Sequence, residues 1–328
     1  MADQEVLTIV APATSANLGP GFDVLALAID LSNEVLIVRR DGPLVVHVTG
    51  QGAGEVPENA DNLFCRALAS GIDSLDGLEI TCHNRIPFGR GLGSSAAAVC
   101  AGLVAANALG HLRWSPSDIL ARAIEFEGHG DNAAACLDGG ITALVPGPRA
   151  LRIQPPDGLA LVVVIPEVKV FTDAARGAMP QQVPIADAAN GISATAGLLL
   201  TLERGYLDEI PEFLMQDRLH EPFRGPLCPG LGALKALTTP GLLGVTVSGS
   251  GPSMLLWVEA LKASDVAAAA REALAGAGVA AEQSQFHRRH SWLDLPVPRQ
   301  ALADRPVRCG RGDLPVSARR PPAPVSGR

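Results

Sequence analysis

The feature that most constrains this 328-residue chain is a glycine-rich turn that opens directly into a long apolar helix. The turn comprises Pro87, Phe88, Gly89, Arg90, Gly91, Leu92 and Gly93, and the helix begins with Ser94, Ser95, Ala96 and Ala97. We expect the helix to run to Leu109, with Gly110 as its C-terminal cap. Glycines let successive backbone N–H groups converge, and the helix N-terminus adds unpaired donors and partial positive charge. The sequence therefore predicts an anion site of the kind that holds phosphate.

Three familiar motifs do not fit this turn. A Walker A loop ends in Gly-Lys-Ser or Gly-Lys-Thr, and the turn contains no lysine. A dinucleotide-binding GxGxxG that starts at Gly89 would need a glycine where Ser94 stands. A GxSxG nucleophile elbow fails at both Ser94 and Ser95. The structural alternative is a turn that only caps a buried helix.

The composition narrows the possible partners. The formal net charge is −8 and aromatic residues make up 4% of the chain, so cationic phosphate contacts and base-stacking platforms are both scarce. We therefore expect no nucleic-acid partner. Residues 286–328 differ from the rest, because they contain nine arginines, three aspartates and seven prolines. Within them we expect residues 308–328 to be a disordered Arg/Pro-rich tail.

The expected cellular compartment depends on whether the chain contains a membrane-spanning stretch, a secretory signal or disulfide-forming cysteines. The longest uncharged stretch, Gly91–Leu112, is rich in alanine and contains Asn107 and His111, which favours a buried helix of a soluble protein. The N-terminus carries Asp3 and Glu5 and lacks the basic residues of a secretory signal. The six cysteines show no metal-like spacing and are interpreted as reduced thiols. We expect a cytoplasmic protein without a membrane partner.

The hydrophobic pattern predicts an α+β chain of two domains. The predicted strands are 6–10, 24–38, 44–48, 78–82, 159–165, 242–247 and 253–258. The predicted helices are 61–69, 94–109, 115–127, 186–203, 207–217, 230–238 and 263–276. Prolines between 146 and 156 mark a boundary, so we expect domains at 1–155 and 156–307.

Two further segments have the composition of ligand-facing loops. The first, residues 12–23, reads PATSANLGPGFD; it follows a predicted strand and ends in Asp23, which could hold a cationic amine. The second, residues 247–253, reads VSGSGPS and joins two predicted strands. Alone, the second segment is as well explained by a simple β-turn.

Together these loops resemble those of the GHMP kinase superfamily and, within it, the homoserine kinase family. The PxxxGLGSSAA pattern at 87–97 is the phosphate loop of the superfamily. The PATSANLGPGFD segment and the EGHGDN segment at 127–132 are more specific to homoserine kinases. The resemblance continues through 172–176 and 220–224 and covers about residues 6–305.

The resemblance implies a fold and an activity. The fold would be the two-domain α+β GHMP kinase fold, with an N-terminal α/β nucleotide-binding domain and a C-terminal ferredoxin-like α+β domain. The activity would be Mg²⁺- and ATP-dependent phosphorylation of the L-homoserine hydroxyl to O-phospho-L-homoserine, in threonine biosynthesis. The family resemblance also suggests a homodimer.

The resemblance assigns roles residue by residue. ATP would be bound by Asn62, near the adenine, and by Pro87, Phe88, Gly89, Arg90, Gly91, Leu92, Gly93, Ser94, Ser95, Ala96 and Ala97. Mg²⁺ would be held by Ser94 and Glu127. L-Homoserine would be bound by Asn17, Asp23, His129, Asn132, Thr172, Arg176 and Arg224, with Asp23 on its ammonium group and the two arginines on its carboxylate. The catalytic set would be Glu127, Asn132 and Arg176.

The resemblance also bears on the proton of the acceptor hydroxyl. Asn132 stands where mevalonate-type kinases place a base aspartate, and an amide cannot take a proton. We therefore expect no strong enzymic base and a proton that leaves through a phosphate oxygen; Asp131 is the competing candidate, against a structural role in the turn. Gly130 replaces the usual proline of the family and is expected to loosen the loop that positions His129.

Several alternatives stay open at this stage. Glu125 also fits a metal role, and Glu127, His129 and the two arginines could be ordinary surface or loop residues. The chain could be another GHMP kinase acting on a different alcohol, but Asp23 together with two arginines suits a zwitterionic substrate. It could also be a non-catalytic nucleotide or amino-acid sensor, although a sensor has no need for the metal pair.

Overall fold

Two β-sheets organise the chain in the computed structural model, which describes residues 6–170, 172–286 and 307–308. Side chains are not described at 172–174, 283–286 and 307–308. The expected disordered tail, 308–328, lies outside the described residues except for Arg308.

The N-terminal sheet has seven strands with the order β11-β1-β2-β4-β3, and β5 pairs with β2 while β6 pairs with β5. The strands are β1 (Val6–Ala16), β2 (Leu25–Arg39), β3 (Val45–Gly50), β4 (Leu78–Asn84), β5 (Ile141–Val145), β6 (Arg149–Ile153) and β11 (Val307–Arg308). The β3–β4 and β1–β11 pairs are parallel and the remaining pairs are antiparallel. β1 extends six residues beyond the predicted strand, which carries the polar Thr14 and Ser15 into a buried position.

Four helices pack with this sheet. They are α1 (Leu63–Ala69), α2 (Ser94–Leu109), α3 (Pro116–Glu127) and α4 (Asp131–Asp138). α2 has the predicted bounds and cap, and α3 begins at a capping box in which Ser115 and Asp118 bond each other's backbone N–H. α4 was not predicted; its alanine run, 133–135, consists of strong helix formers that are buried against β1 and β2.

The C-terminal sheet is antiparallel, with the order β10-β7-β9-β8. Its strands are β7 (Leu159–Pro166), β8 (Leu242–Val247), β9 (Met254–Glu259) and β10 (Ala281–Phe286). The helices of this half are α5 (Thr172–Gly177), α6 (Ile185–Arg204), α7 (Ile210–Leu214), α8 (Glu221–Arg224), α9 (Leu231–Lys235) and α10 (Ala263–Gly276). The succession β7-α6-β8-β9-α10-β10 with this strand order is the expected ferredoxin-like arrangement.

Both faces of β7, a central strand of the C-terminal sheet, are buried. Val162 and Val164 pack in a core with α9 and α10, whereas Leu161 and Val163 belong to the large core that also holds the N-terminal sheet and α2. Because neither face is solvated, β7 is a continuous aliphatic run without polar alternation.

Two helices that were predicted between β7 and β8 are shorter in the structure than expected. The predicted helix 207–217 is divided into a 3₁₀ turn, Leu207–Glu209, and the short α7, and the predicted helix 230–238 is reduced to α9. Among the described residues, α6 is one helix that is long and apolar enough to cross a membrane, a property that helices of soluble proteins can share. The Gly91–Leu112 stretch contains α2, which is largely buried in the core, as expected.

Candidate active site

The loops singled out in the sequence meet in one cleft of about 280 Å³. Its wall includes nearly all of the predicted site residues: Asn17, Asp23, Pro87, Phe88, Gly89, Arg90, Gly91, Leu92, Gly93, Ser94, Ser95, Ala96, Glu127, His129, Asn132, Arg176 and Arg224. Ala97 is buried below it in α2, and the side chain of Thr172 lies outside the described residues. The fold thus brings the nucleotide set and the substrate set to one place.

The phosphate loop owes its shape to three glycines. Gly89, Gly91 and Gly93 have φ values of +67°, +69° and +68°, which L-residues with a side chain rarely adopt. Gly93 is the N-cap of α2, and the first turn of that helix contains no acidic residue. The first turn of α2 therefore adds no carboxylate of its own next to its free backbone donors, which suits a phosphate.

The turn 248–253 fastens the phosphate loop to the end of β1. The Ser248 hydroxyl lies 2.7 Å from the carbonyl oxygen of Gly91 and 2.8 Å from the Ser15 hydroxyl. One hydroxyl has one proton, so when Ser248 donates to Gly91, Ser15 must donate to Ser248. The Gly249 N–H donates to the Ala16 carbonyl at 3.1 Å. The shape of the phosphate loop therefore depends on the C-terminal half of the chain.

Arg90 reinforces this connection. Its guanidinium donates to the carbonyl oxygens of Pro166, the last residue of β7, and of Val168. Its own carbonyl accepts from the Ser253 N–H at 3.3 Å. Arg90 thus anchors the phosphate loop to the C-terminal sheet. It also lies on the wall of the cleft, and its assignment to ATP stays a prediction.

Asn62 is likewise occupied within the protein. Its Oδ1 accepts from the Phe64 N–H at 3.0 Å, which caps α1, and its Nδ2 donates to the Pro57 carbonyl at 2.8 Å. It does not lie on the wall of the cleft. Its assignment to the adenine stays a prediction.

Side chains of both charges line the part of the cleft that the resemblance assigns to the substrate that accepts the phosphoryl group, which we call the acceptor side. The Arg176 guanidinium bonds the Asp23 carboxylate in a bidentate pair, with distances of 3.0 and 3.3 Å. Both side chains are more than a third exposed, so the pair contributes little to stability and can be opened by a competing ligand. The residues assigned to opposite ends of the substrate are therefore bonded to each other here.

Arg224 is buried behind this pair, beneath the same cleft. It donates to the carbonyl oxygens of Ala175 and Gly249, each at 3.3 Å, and lies over the ring of Phe22 at 5.1 Å. Burial lowers the pKa of its guanidinium, and the positive charge of Arg176 lowers it further. Two cations this close together form a site that an anionic group would stabilise.

Asn17 braces the substrate loop. Its Oδ1 accepts from the Asp23 N–H at 3.1 Å and its Nδ2 donates to the Gly249 carbonyl at 2.7 Å. Its backbone is left-handed, with φ +74°. Asn17 and Arg224 therefore converge on one carbonyl oxygen.

Glu127 ends α3 at the nucleotide side of the cleft. Its Oε1 accepts from the Ser95 hydroxyl at 2.6 Å, so the hydroxyl that meets it is that of Ser95 and not that of Ser94, the predicted metal partner. Burial raises the pKa of Glu127 despite the bond from Ser95. Among the described residues there is no group of three His, Cys, Asp or Glu side chains that could hold a metal alone. A divalent cation would need phosphate oxygens as additional ligands.

The start of α4 and the residue pair before it hold the His129 imidazole and the Asn132 amide in fixed positions. His129 Nδ1 lies 2.7 Å from the buried Asp131 carboxylate, and that hydrogen bond raises the pKa of His129. The same carboxylate oxygen accepts from the Asn132 N–H at 2.8 Å. Gly130 packs under Ile124, since an added Cβ would lie 2.8 Å from that side chain.

Sequence reasoning missed a buried layer behind the site. Asp217 accepts the backbone N–H groups of residues 219–221 at the start of α8, and Glu221 accepts from the Val247 N–H at 2.7 Å and from Lys235. His220 Nε2 bonds the Gly19 carbonyl at 2.9 Å. The 220–224 segment was recognised by resemblance, but only Arg224 was given a role.

Comparison with known proteins identifies the family that has this arrangement. The model for the GHMP kinases N terminal domain matches residues 59–140, and that for the GHMP kinases C terminal matches residues 200–276. The homoserine kinase of Streptomyces coelicolor is 42% identical over 285 residues, which cover 83% of this chain and 89% of that protein. The chain belongs to the homoserine kinase family. The homoserine kinase of Moorella thermoacetica is 38% identical over 252 residues, covering 74% and 84% of the two chains.

Solved structures agree with membership of the homoserine kinase family. The crystal structure of homoserine kinase from Cytophaga hutchinsonii superposes with a TM-score of 0.78 at 30% identity, covering 88% of this chain and 96% of that one. A Lactococcus lactis galactokinase, at 14% identity and a TM-score of 0.67, covers 86% and 93% and shares the fold alone. The predicted two-domain GHMP kinase fold is confirmed.

Proposed function

We propose that this protein transfers the γ-phosphoryl group of ATP to the hydroxyl of L-homoserine, which yields ADP and O-phospho-L-homoserine for threonine biosynthesis. One observation carries the proposal: a glycine-shaped anion site and a set of side chains of both charges share a single cleft. A zwitterionic alcohol needs an anion, a guanidinium and a route for its hydroxyl to the phosphate.

Substrate binding follows from the charges. The ammonium group of homoserine would bind Asp23, and its carboxylate would lie between Arg176 and Arg224, where it relieves the repulsion of the two cations. When homoserine binds, the exposed bidentate pair between Asp23 and Arg176 would open, and each side chain would bind one charged group of the substrate instead. Asn17, His129 and Thr172 would complete the pocket.

Phosphoryl transfer depends on position and charge. The backbone N–H groups at the start of α2 would bind the triphosphate, and Glu127 with a serine hydroxyl would hold Mg²⁺, which neutralises charge on the β- and γ-phosphates. We assign that hydroxyl to Ser95, on its 2.6 Å bond to Glu127, with Ser94 as the other candidate. Oδ1 of Asp131 is bonded to His129 and to the Asn132 N–H, which supports a structural role for Asp131. We infer that the hydroxyl proton leaves through a phosphate oxygen.

An ADP-release assay over a panel of alcohols tests the function. We expect Mg²⁺-dependent turnover with L-homoserine and much less with L-serine, mevalonate or galactose. ATP binding without turnover of homoserine would overturn the enzyme proposal in favour of a sensor. Glu127→Gln should abolish most of the turnover while ADP still binds.

Two variants test the substrate pocket. Arg224→Lys keeps the charge but loses the planar guanidinium, so we expect the KM for homoserine to rise at least about tenfold with little change in the KM for ATP. Arg218→Lys is the matched control, because Arg218 is exposed and pairs only with Asp187 among the described residues. A change confined to the KM for ATP would show that the pocket is wrongly assigned.

We also propose a cytoplasmic homodimer. Five described cysteines are free and buried, which supports a reducing compartment.

The evidence for a dimer is an apolar surface on α6. Its residues Ile185, Ile192 and Leu200 are 88%, 74% and 53% exposed, and such a row on one helix is typical of an interface. Ile192→Glu should convert the dimer to a monomer in light scattering; an unchanged mass would exclude this face.

A further inference from the structure

Thr14, to which the resemblance gives no role, lies where the nucleotide side and the acceptor side of the cleft meet. It is fully buried near the end of β1. Its N–H donates to the Leu92 carbonyl in the phosphate loop at 3.1 Å. Its hydroxyl donates to Oδ1 of Asn132, in the first turn of α4, at 2.7 Å. One residue therefore contacts both the loop that would hold ATP and the amide that would face the acceptor.

The phosphate loop passes directly over this hydrogen bond. A Cβ on Gly93 would lie 1.9 Å from Thr14 Oγ1 and 3.2 Å from Asn132 Oδ1. Because only glycine fits there, the N-cap of α2 is held in contact with the Thr14 hydroxyl. A displacement of Thr14 would therefore disturb its contacts with both Gly93 and Asn132.

The direction of the hydrogen bond between Thr14 and Asn132 determines which end of the Asn132 amide is available to a ligand in the cleft. Its Oδ1 is occupied by the Thr14 hydroxyl, and Asn132 lies on the wall of the cleft. The amide NH₂ group is therefore left as the group available to a ligand, and an NH₂ group can only donate.

We propose that Thr14 is a positioning residue that fixes Asn132 with its NH₂ group toward the oxygen of the substrate hydroxyl. The inference rests on the proposed function. In the transfer step the bond between the γ-phosphorus and the ADP oxygen breaks, and a bond from the homoserine oxygen to that phosphorus forms. The hydroxyl proton passes to a phosphate oxygen, and Asn132 stays neutral throughout. Its donated hydrogen bond directs a lone pair of the acceptor oxygen toward the phosphorus.

Removing the hydroxyl at constant shape tests the proposal. Thr14→Val is nearly isosteric but cannot donate, so the Asn132 amide is free to rotate and to present its oxygen instead. We expect kcat to fall about 10- to 100-fold, with the KM for homoserine changed less than about threefold. Thr14→Ser keeps the donor and should stay within about threefold of the wild type in kcat.

A double-mutant cycle separates positioning from packing. If Thr14 acts through Asn132, Thr14→Val should lower kcat no more than about twofold in an Asn132→Ala background. Thr142→Val is the matched control, since Thr142 is a buried strand threonine whose hydroxyl faces the Ala26 carbonyl away from the cleft. It should leave kcat unchanged. Multiplicative losses from Thr14→Val and Asn132→Ala would overturn the proposal.

A variant that leaves Thr14 intact guards against misfolding of Thr14→Val. Asn132→Asp retains an acceptor for the Thr14 hydroxyl but replaces the NH₂ group by a carboxylate oxygen. It should lose as much kcat as Asn132→Ala, and a kcat equal to or above that of the wild type would overturn the proposal. An inactive wild-type protein would instead overturn the proposed function, so the two failures are distinguishable.

Discussion

Replacing Gly91 by alanine tests how tightly the phosphate loop is held by the C-terminal half. The backbone at Gly91 has φ +69°, which costs an L-residue about 1–2 kcal/mol. The new Cβ would lie 2.3 Å from the Ser248 carbonyl oxygen and 2.7 Å from that of Gly251. Both contacts are with backbone atoms, so the loop and the turn must separate. The bond between the Ser248 hydroxyl and the Gly91 carbonyl would be lost with them, at about 1 kcal/mol.

We therefore expect Gly91→Ala to lower the free energy of unfolding by at least about 2–3 kcal/mol in urea titrations. Gly147→Ala is the control, because Gly147 has φ +85° and nothing within 4 Å of the added Cβ; it should cost only the backbone strain, about 1–2 kcal/mol. The displaced loop should also lower kcat/KM for ATP about 100-fold in the Gly91 variant. Equal losses of stability in the two variants, with normal kinetics, would refute the described contact between the loop and the turn.

Three further predictions concern buried groups. Burial lowers the pKa of His220, so below about pH 6.5 the unfolded chain binds a proton that the folded chain does not, and the free energy of unfolding falls as the pH drops. His220→Gln should reduce the slope of this free energy against pH by up to about 1.4 kcal/mol per pH unit. Parallel plots of the free energy of unfolding against pH for the variant and the wild type would contradict this prediction. Asn62→Ala should cost about 1 kcal/mol of stability and Asn62→Asp much less, as for a helix cap, whereas a large rise in the KM for ATP at unchanged stability would favour the adenine role. Burial raises the pKa of the Cys65, Cys82 and Cys228 thiols to about 12, so iodoacetamide at pH 8 should label them only in denaturant, as peptide mass mapping would show.

Local signals in the sequence located the nucleotide half of the site. Gly110 after α2 and the Ser115 capping box before α3 give these helices the predicted bounds, because each end is determined by a few neighbouring residues. A Walker A loop could also be excluded from the sequence, because the turn before α2 contains no lysine. The anion site could therefore be predicted from residues 87–97 alone.

Contacts between distant segments could not be predicted in the same way. Ser95 rather than Ser94 faces Glu127 because α3 packs beside α2 in one particular rotation, and the Asp23–Arg176 bond joins residues from the two halves of the chain. α4 was missed because its first residues, Asp131 and Asn132, were interpreted as part of a loop motif. For Ser95 and for the Asp23–Arg176 pair, tertiary packing and not local propensity determined the partner.

The doubly buried β7 limits how the cleft can close. A hinge between the two halves would have to expose Leu161, Val163 and Trp257, which are packed in the core that both sheets share. Uncovering three such side chains would cost several kcal/mol, about 1.5–3 kcal/mol for each large one. Exclusion of water around the reacting phosphate must therefore come from the short segments that border the cleft. For the same reason, if the chain were cut near residue 155 and the halves separated, each half would expose an apolar face that is buried in the intact protein.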